Sequence, residues 1–130
     1  MGAQDNGELI RSGYEAFSKG DMETIAKIFD PNIRWTVSGR NKISGTYNGL
    51  EETFAFFGKL MELTDGTFAV GIHDLLASDD HVVVLVKESA SRQGKALESD
   101  DVHVWHIDKG KAVEFWGISK DQHEVDEFWE

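Results

Sequence analysis

Apolar residues recur at helical spacing in the first half of the chain and at strand spacing in the second. Ile10, Gly13, Tyr14 and Phe17 fall at i, i+3, i+4 and i+7, one face of a helix that stops at Lys19-Gly20. Residues 1–7 are small and polar and read as a frayed tail. Asp21 is a good N-cap for a second helix. Met22, Ile25, Ala26 and Phe29 repeat the spacing, and Pro31 ends it. Ile33-Arg34-Trp35-Thr36-Val37 alternates as a short strand, and Ser38 to Gly49 has the glycine, asparagine and hydroxyl content of a loop. Asn48, with Glu51 three residues on, predicts the start of a third helix with Leu50, Phe54, Phe57 and Met61 as its stripe.

From Thr67 the period becomes two. Four strands are expected, over 67–78, 81–92, 95–107 and 111–119. Asp79-Asp80, Gln93-Gly94 and Asp108-Lys109-Gly110 separate them, so consecutive strands should be antiparallel neighbours. Asp121 caps a short last helix, with Val125, Phe128 and Trp129 on one side. Helices first and a meander last is an α+β layout. Strands this long must twist and coil, so three helices can cover a concave face and leave a pocket.

At 130 residues the chain is one domain, taken as 8–130 after the tail. It holds 13 Lys+Arg against 24 Asp+Glu, a net charge of −11 that repels phosphate backbones. Nucleic acid and anionic membranes are therefore poor partners. Cysteine is absent, which excludes disulfides, thiolate metal sites and cysteine nucleophiles. No apolar run has the length of a membrane span and no signal-peptide pattern opens the chain, so a cytoplasmic location is expected.

Several short motifs share one order. They are Gly20-Asp21, Ile28-Phe29-Asp30-Pro31 before Trp35, His73-Asp74-Leu75-Leu76-Ala77, and Val102-His103-Val104-Trp105. Lys109-Gly110-Lys111, Glu114-Phe115-Trp116 and Asp126-Glu127-Phe128-Trp129 follow. Together, from about Glu8 to Trp129, they resemble the nuclear-transport-factor-2-like superfamily, which includes ketosteroid isomerases and SnoaL-like polyketide cyclases. The resemblance implies a cone-shaped half-barrel with an apolar cavity, and a homodimer through the convex sheet face. It does not carry the isomerase residues across. Counted from the Gly20-Asp21 step, the isomerase tyrosine falls at Gly13, with Tyr14 one place off, and its base at Val37. Its protonated aspartate falls at His103. The aspartate that follows the last-strand tryptophan in the cyclases is Gly117 here. The Asp-Arg-Asp set of the superfamily's epoxide hydrolases has no counterpart on an inner strand.

Alternation along the strand over 95–107 puts Ser99, Asp101, His103, Trp105 and Ile107 on one face, and Asp100, Val102, Val104 and His106 on the other. Periodicity leaves open which face is concave; the resemblance selects the odd set. The same registration points Glu88 inward. Glu88, Asp101 and His103 then form a carboxylate–imidazole group suited to acid–base catalysis. Pocket lining without catalysis and a purely structural role compete with that reading. Tyr14, Phe17, Trp35, Phe54, Phe57, Trp105 and Phe115 are the aromatic candidates for ligand contact, with core packing as the alternative for each.

His103 and His106 lie three apart on a strand and point to opposite faces, so they cannot chelate one metal ion. No phosphate-binding glycine loop and no Gly-x-Ser-x-Gly elbow occurs, so no cofactor is implied. Two functions remain. One is a cofactor-free isomerase, cyclase or hydratase acting on a small cyclic or polyketide-like molecule. The other is a non-catalytic binding protein for a small hydrophobic ligand.

Overall fold

The computed structural model of the protein describes residues 2–130. Helices α1 (Ala3–Ser18) and α2 (Met22–Ile28) open the fold. Strands β1 (Phe29–Val37) and β2 (Gly45–Asn48) follow, then α3 (Gly49–Leu63). Strands β3 (Ala69–Ala77), β4 (His81–Arg92), β5 (Lys95–Asp108) and β6 (Lys111–Ser119) come next, and α4 (Gln122–Phe128) closes the order. The six strands form one open, mixed sheet in the order β2-β1-β6-β5-β4-β3. β1 and β6 are parallel; every other pair is antiparallel. The architecture is α+β, with helices on one face of the sheet.

The first half differs from expectation in several places; β1 already begins at Phe29, so Phe29 and Pro31 lie in the strand rather than at the end of α2. Residues 3–7 are not a frayed tail but the first turns of α1, while Met1 lies outside the described residues. Their local propensity is poor, and tertiary contact decides. Asn6 is buried, and its Nδ2 donates to the carbonyls of Ser78 at 3.1 Å and Asp79 at 2.9 Å. Gly7 lies so close to β3 that a Cβ there would sit 3.3 Å from Leu75 Cδ2. The expected loop over 38–49 contains β2, an edge strand whose ladder to β1 pairs Trp35 with Tyr47.

Two helices start as their sequences indicate. Asp21 Oδ1 accepts from the Thr24 amide at 3.1 Å, and Asp121 Oδ1 from the Glu124 amide at 3.2 Å. α3 starts differently. The Asn48 side chain makes no cap bond; instead Glu52 Oε1 accepts from the Asn48 amide at 2.8 Å. The buried stripe of α3 is Thr53, Phe56, Phe57 and Leu60, rotated from the expected one. This helix is apolar around much of its circumference, so spacing alone admits either stripe, and packing against β1 selects one.

The core lies between the helices and the inner sheet face. Val82, Val84 and Val86 of β4 and Trp105 and Ile107 of β5 point into it. α4 plugs one end: Phe128 and Trp129 are buried, and Arg92 Nη1 holds their segment by donating to the carbonyls of Phe128 at 3.1 Å and Glu130 at 3.0 Å. On the outer face Val83, Leu85, Val102 and Val104 are half-buried, whereas Trp116 and Ile118 are 42% and 45% exposed. Among the described residues no helix is long and apolar enough to cross a membrane.

Candidate active site

A cavity of about 100 Å³ lies between the helices and the inner face. Its wall is mostly aromatic. Trp35 and Phe115, neighbours on β1 and β6, stack with ring centroids 3.7 Å apart. Trp105 meets both edge-on, at 5.4 Å from Trp35 and 4.7 Å from Phe115. Phe17 from α1 and Phe57 from α3 close the helix side, 5.2 Å apart. Phe54 does not line the cavity: the rotation of α3 leaves it half-buried, packed on Phe57 at 6.0 Å. Phe29, Phe56, Phe68, Val125 and Trp129 belong to the wall and were not singled out by the sequence reading. Helical and turn spacing marks them only as core.

The polar part of the wall comes from neighbouring strands. β4 and β5 pair Val84 with His103, Val86 with Asp101 and Glu88 with Ser99, so these side chains share the inner face. Asp101, His103 and Trp105 are buried, and the Glu88 side chain is 15% exposed. Gly117 on β6 is the strand partner of His103. A Cβ at Gly117 would sit 3.3 Å from both His103 Cδ2 and Phe115 Cζ, so a glycine there leaves these two rings room to meet. Tyr14 of α1 reaches across to β5. Its ring lies parallel to the His103 ring at 5.9 Å, although the family tyrosine counts to position 13.

Donor counting fixes the protons in this group. Trp105 Nε1 can only donate, and it donates to Tyr14 Oη at 3.1 Å. The single Tyr14 proton therefore goes to His103 Nδ1, 2.6 Å away. A neutral His103 then carries its proton on Nε2, which donates to Glu88 Oε2 at 3.0 Å. The Glu88 and Asp101 carboxyls face each other, with oxygen atoms within 4.8 Å. Ser99 Oγ donates to Asp101 Oδ1 at 2.5 Å. The sequence reading placed Ser99 on the right face without giving it this role.

Electrostatics agrees with that inventory. Burial pushes Glu88 up to about 7, with the Asp101 hydrogen bond acting against it. Burial also pushes Asp101 up to about 7, helped by the negative charge of Glu88. Burial pushes His103 down to about 4 against the pull of Asp101, so at neutral pH its contact with Glu88 joins a neutral N–H to a carboxylate. Burial raises the Tyr14 hydroxyl far above its ordinary value, and it stays protonated. The two carboxyls therefore titrate as a coupled pair, both raised well above the ordinary carboxylate range by burial.

Donor atoms of Glu88, Asp101 and His103 lie within 4.8 Å of one another, a ligand set that could in principle close on a cation. The hydrogen bonds do not fit that use. A metal on His103 Nε2 would move the proton to Nδ1, where it would face the Tyr14 hydroxyl proton with no second acceptor for the phenol.

Known proteins share this arrangement of elements. Bal32a, from a soil-derived mobile gene cassette, is 36% identical, with a TM-score of 0.95 and 98% of each chain covered. A cystatin-like protein of unknown function from Xanthomonas campestris is 33% identical, with a TM-score of 0.88, over 94% of this chain and 95% of that one. An uncharacterized protein of Mycobacterium tuberculosis is 26% identical over 123 residues, 94% of each chain. The model of the SnoaL-like domain matches residues 10–115, from α1 through the aromatic wall to Phe115, and the chain belongs to that family.

Proposed function

We propose that this protein is a cofactor-free acid–base enzyme acting on a small, largely apolar cyclic substrate, as an isomerase, cyclase or hydratase. The observation that carries this is the buried hydrogen-bonded chain Trp105–Tyr14–His103–Glu88, with Asp101 beside Glu88, which lines an apolar cavity. A purely binding cavity gains nothing from two carboxyl groups held near 7, whereas a general base is most effective when its pKa lies near the working pH. Glu88 is the group that takes the proton, since its carboxylate accepts from the neutral His103 Nε2–H. Asp101 shares and returns it. His103, with both nitrogens engaged, orients Glu88 and steadies its charge. The SnoaL-like relationship supports small-molecule chemistry of this kind.

The test is hydrogen–deuterium exchange at carbons next to the carbonyl in small cyclic diketones and enones. The wild type should accelerate exchange over buffer, and Glu88→Gln should lose roughly 10²–10⁴-fold of that rate. A wild type no faster than buffer across such a panel leaves the non-catalytic binding protein as the function.

The outer sheet face is read as the contact surface of a homodimer. Val83, Leu85, Val102, Val104, Trp116 and Ile118 present a contiguous apolar patch of a kind that soluble monomers seldom leave open. Sedimentation at micromolar concentration should give twice the 14.6 kDa chain mass.

A further inference from the structure

The cavity holds one polar group that its own chain leaves out. Trp105 Nε1, Tyr14 Oη and both nitrogens of His103 are all engaged with one another or with Glu88. Trp35 Nε1 is buried and has no hydrogen-bond partner, and the residue is 6% exposed. Asn6 Oδ1 is the other such side-chain atom among the described residues, but Asn6 sits under the Ser78–Asp79 turn and does not line the cavity. Buried N–H groups nearly always find an acceptor, so an orphan in a cavity wall calls for an explanation.

Local relaxation does not supply one. The Trp35 indole is stacked on Phe115, with Phe57 and Trp105 edge-on at 5.1 Å and 5.4 Å, so it cannot swing toward a distant oxygen. The rings around it offer π faces, which are weak acceptors. The missing acceptor therefore comes with the ligand.

We infer that Trp35 Nε1 is the anchoring donor of the ligand site, and that it selects a non-anionic, ring-sized molecule bearing an acceptor oxygen, of carbonyl or ether type, on an otherwise apolar body. The oxygen follows from the unpaired donor. The apolar, planar body follows from the aromatic wall. An anion is disfavoured because the lining contains no lysine or arginine to pair one and includes the carboxyls of Glu88 and Asp101. The inference deepens the enzymatic reading by naming how its substrate is held, yet Trp35 lies apart from the proton-holding group and can be tested without turnover.

The experiment is a titration of the wild-type protein with 1-indanone and, separately, with indane, the same skeleton without the oxygen. The indole N–H resonances of the four tryptophans are followed by NMR. The ketone should bind roughly five- to tenfold tighter than the hydrocarbon, the value of one hydrogen bond to a buried donor. It should move the Trp35 N–H resonance downfield, while that of Trp105, already bonded to Tyr14, moves less. Trp35→Phe keeps a ring for Phe115 to stack on and should reduce ketone affinity to that of indane. Equal affinities in the wild type, a Trp35 resonance that ignores bound ketone, or no binding of either compound overturns the inference. Glu88→Gln separates the two readings: it removes exchange catalysis and leaves the Trp35 response in place.

Discussion

The two faces of β5 invert the usual pattern of a half-buried strand. Its inner residues include Asp101 and His103, two ionisable groups taken out of water. Its outer residues include Val102 and Val104, apolar groups only half covered. An amphipathic strand that served stability alone would place them the other way round. Inside, desolvation is tolerated because the polar groups find partners: Asp101 accepts from Ser99, and Glu88, His103, Tyr14 and Trp105 are linked in a row. Outside, the apolar side chains fit a surface awaiting a partner. On the proposed reading the inner face serves proton chemistry and the outer one association, and a mutation on either should read out differently.

The largest effect is expected where the inner face packs most tightly. Trp105 touches Tyr14, Phe29, Trp35 and Phe115 and is 5% exposed. Trp105→Ala should cost about 3–5 kcal/mol in chemical denaturation. A loss under 1 kcal/mol would show that this wall is not part of the cooperative core.

Tyr14→Phe tests the hydrogen bonds with the ring retained. It strips the acceptor from Trp105 Nε1 and the donor from His103 Nδ1, both buried. The cost should be about 1–3 kcal/mol, the penalty for unpaired buried groups. The His103 ring should also lose its fixed tautomer, visible in its nitrogen chemical shifts. A variant as stable as wild type with an unchanged His103 tautomer contradicts the donor order derived above.

The pH dependence sharpens the inner half of the comparison. Glu88 and Asp101 rise to about 7 from 4.5 and 3.8, so ionising them costs folding free energy. That cost is absent below the unfolded values and complete above the folded ones. His103 falls to about 4 from 6.5, so its opposing contribution is complete above 6.5 and is lost as the pH drops toward 4. Above the His103 window the carboxyl pair dominates, and stability should fall as pH rises from 6.5 to 8.5, by about 1–2 kcal/mol. Thermal melts of the wild type should show that slope, and Glu88→Gln should flatten it. Identical slopes would place the titration elsewhere.

The inner and outer sets of β4 and β5 were legible because strand alternation is rigid, but periodicity did not name the cavity side. That came from the family relationship. β2 was not legible, because Gly45-Thr46-Tyr47-Asn48 has turn composition and becomes a strand only by pairing with β1. The start of α1 was not legible either, since Asn6 and Gly7 owe their place to β3 and the turn after it. Phe54 was misplaced because α3 carries two overlapping apolar stripes. Tyr14 was underrated by counting one position along a helix, when the length of its side chain let it reach His103. The pairing of protons in the site follows from distances between four strand and helix positions, which no local pattern contains.

The smallest effect on the stability of the chain itself is expected on the outer face. Trp116 alternates against Phe115, and 42% of it is open. Its strand partners are Val104 and Thr36, and Ile118 lies two residues along on the same face. Trp116→Glu buries no charge in the isolated chain, because the glutamate can reach solvent. Its direct cost there should stay within about 0.5 kcal/mol, as for other surface substitutions. If this face is the dimer contact, the same charge enters an apolar patch and should oppose association. Sedimentation should therefore shift from dimer to monomer, while the Trp35 response to 1-indanone is kept, because the substituted side chain points away from the cavity. A variant that remains dimeric would move the contact off this face. One that loses ligand binding would mean that the two faces of the sheet are energetically coupled rather than separate.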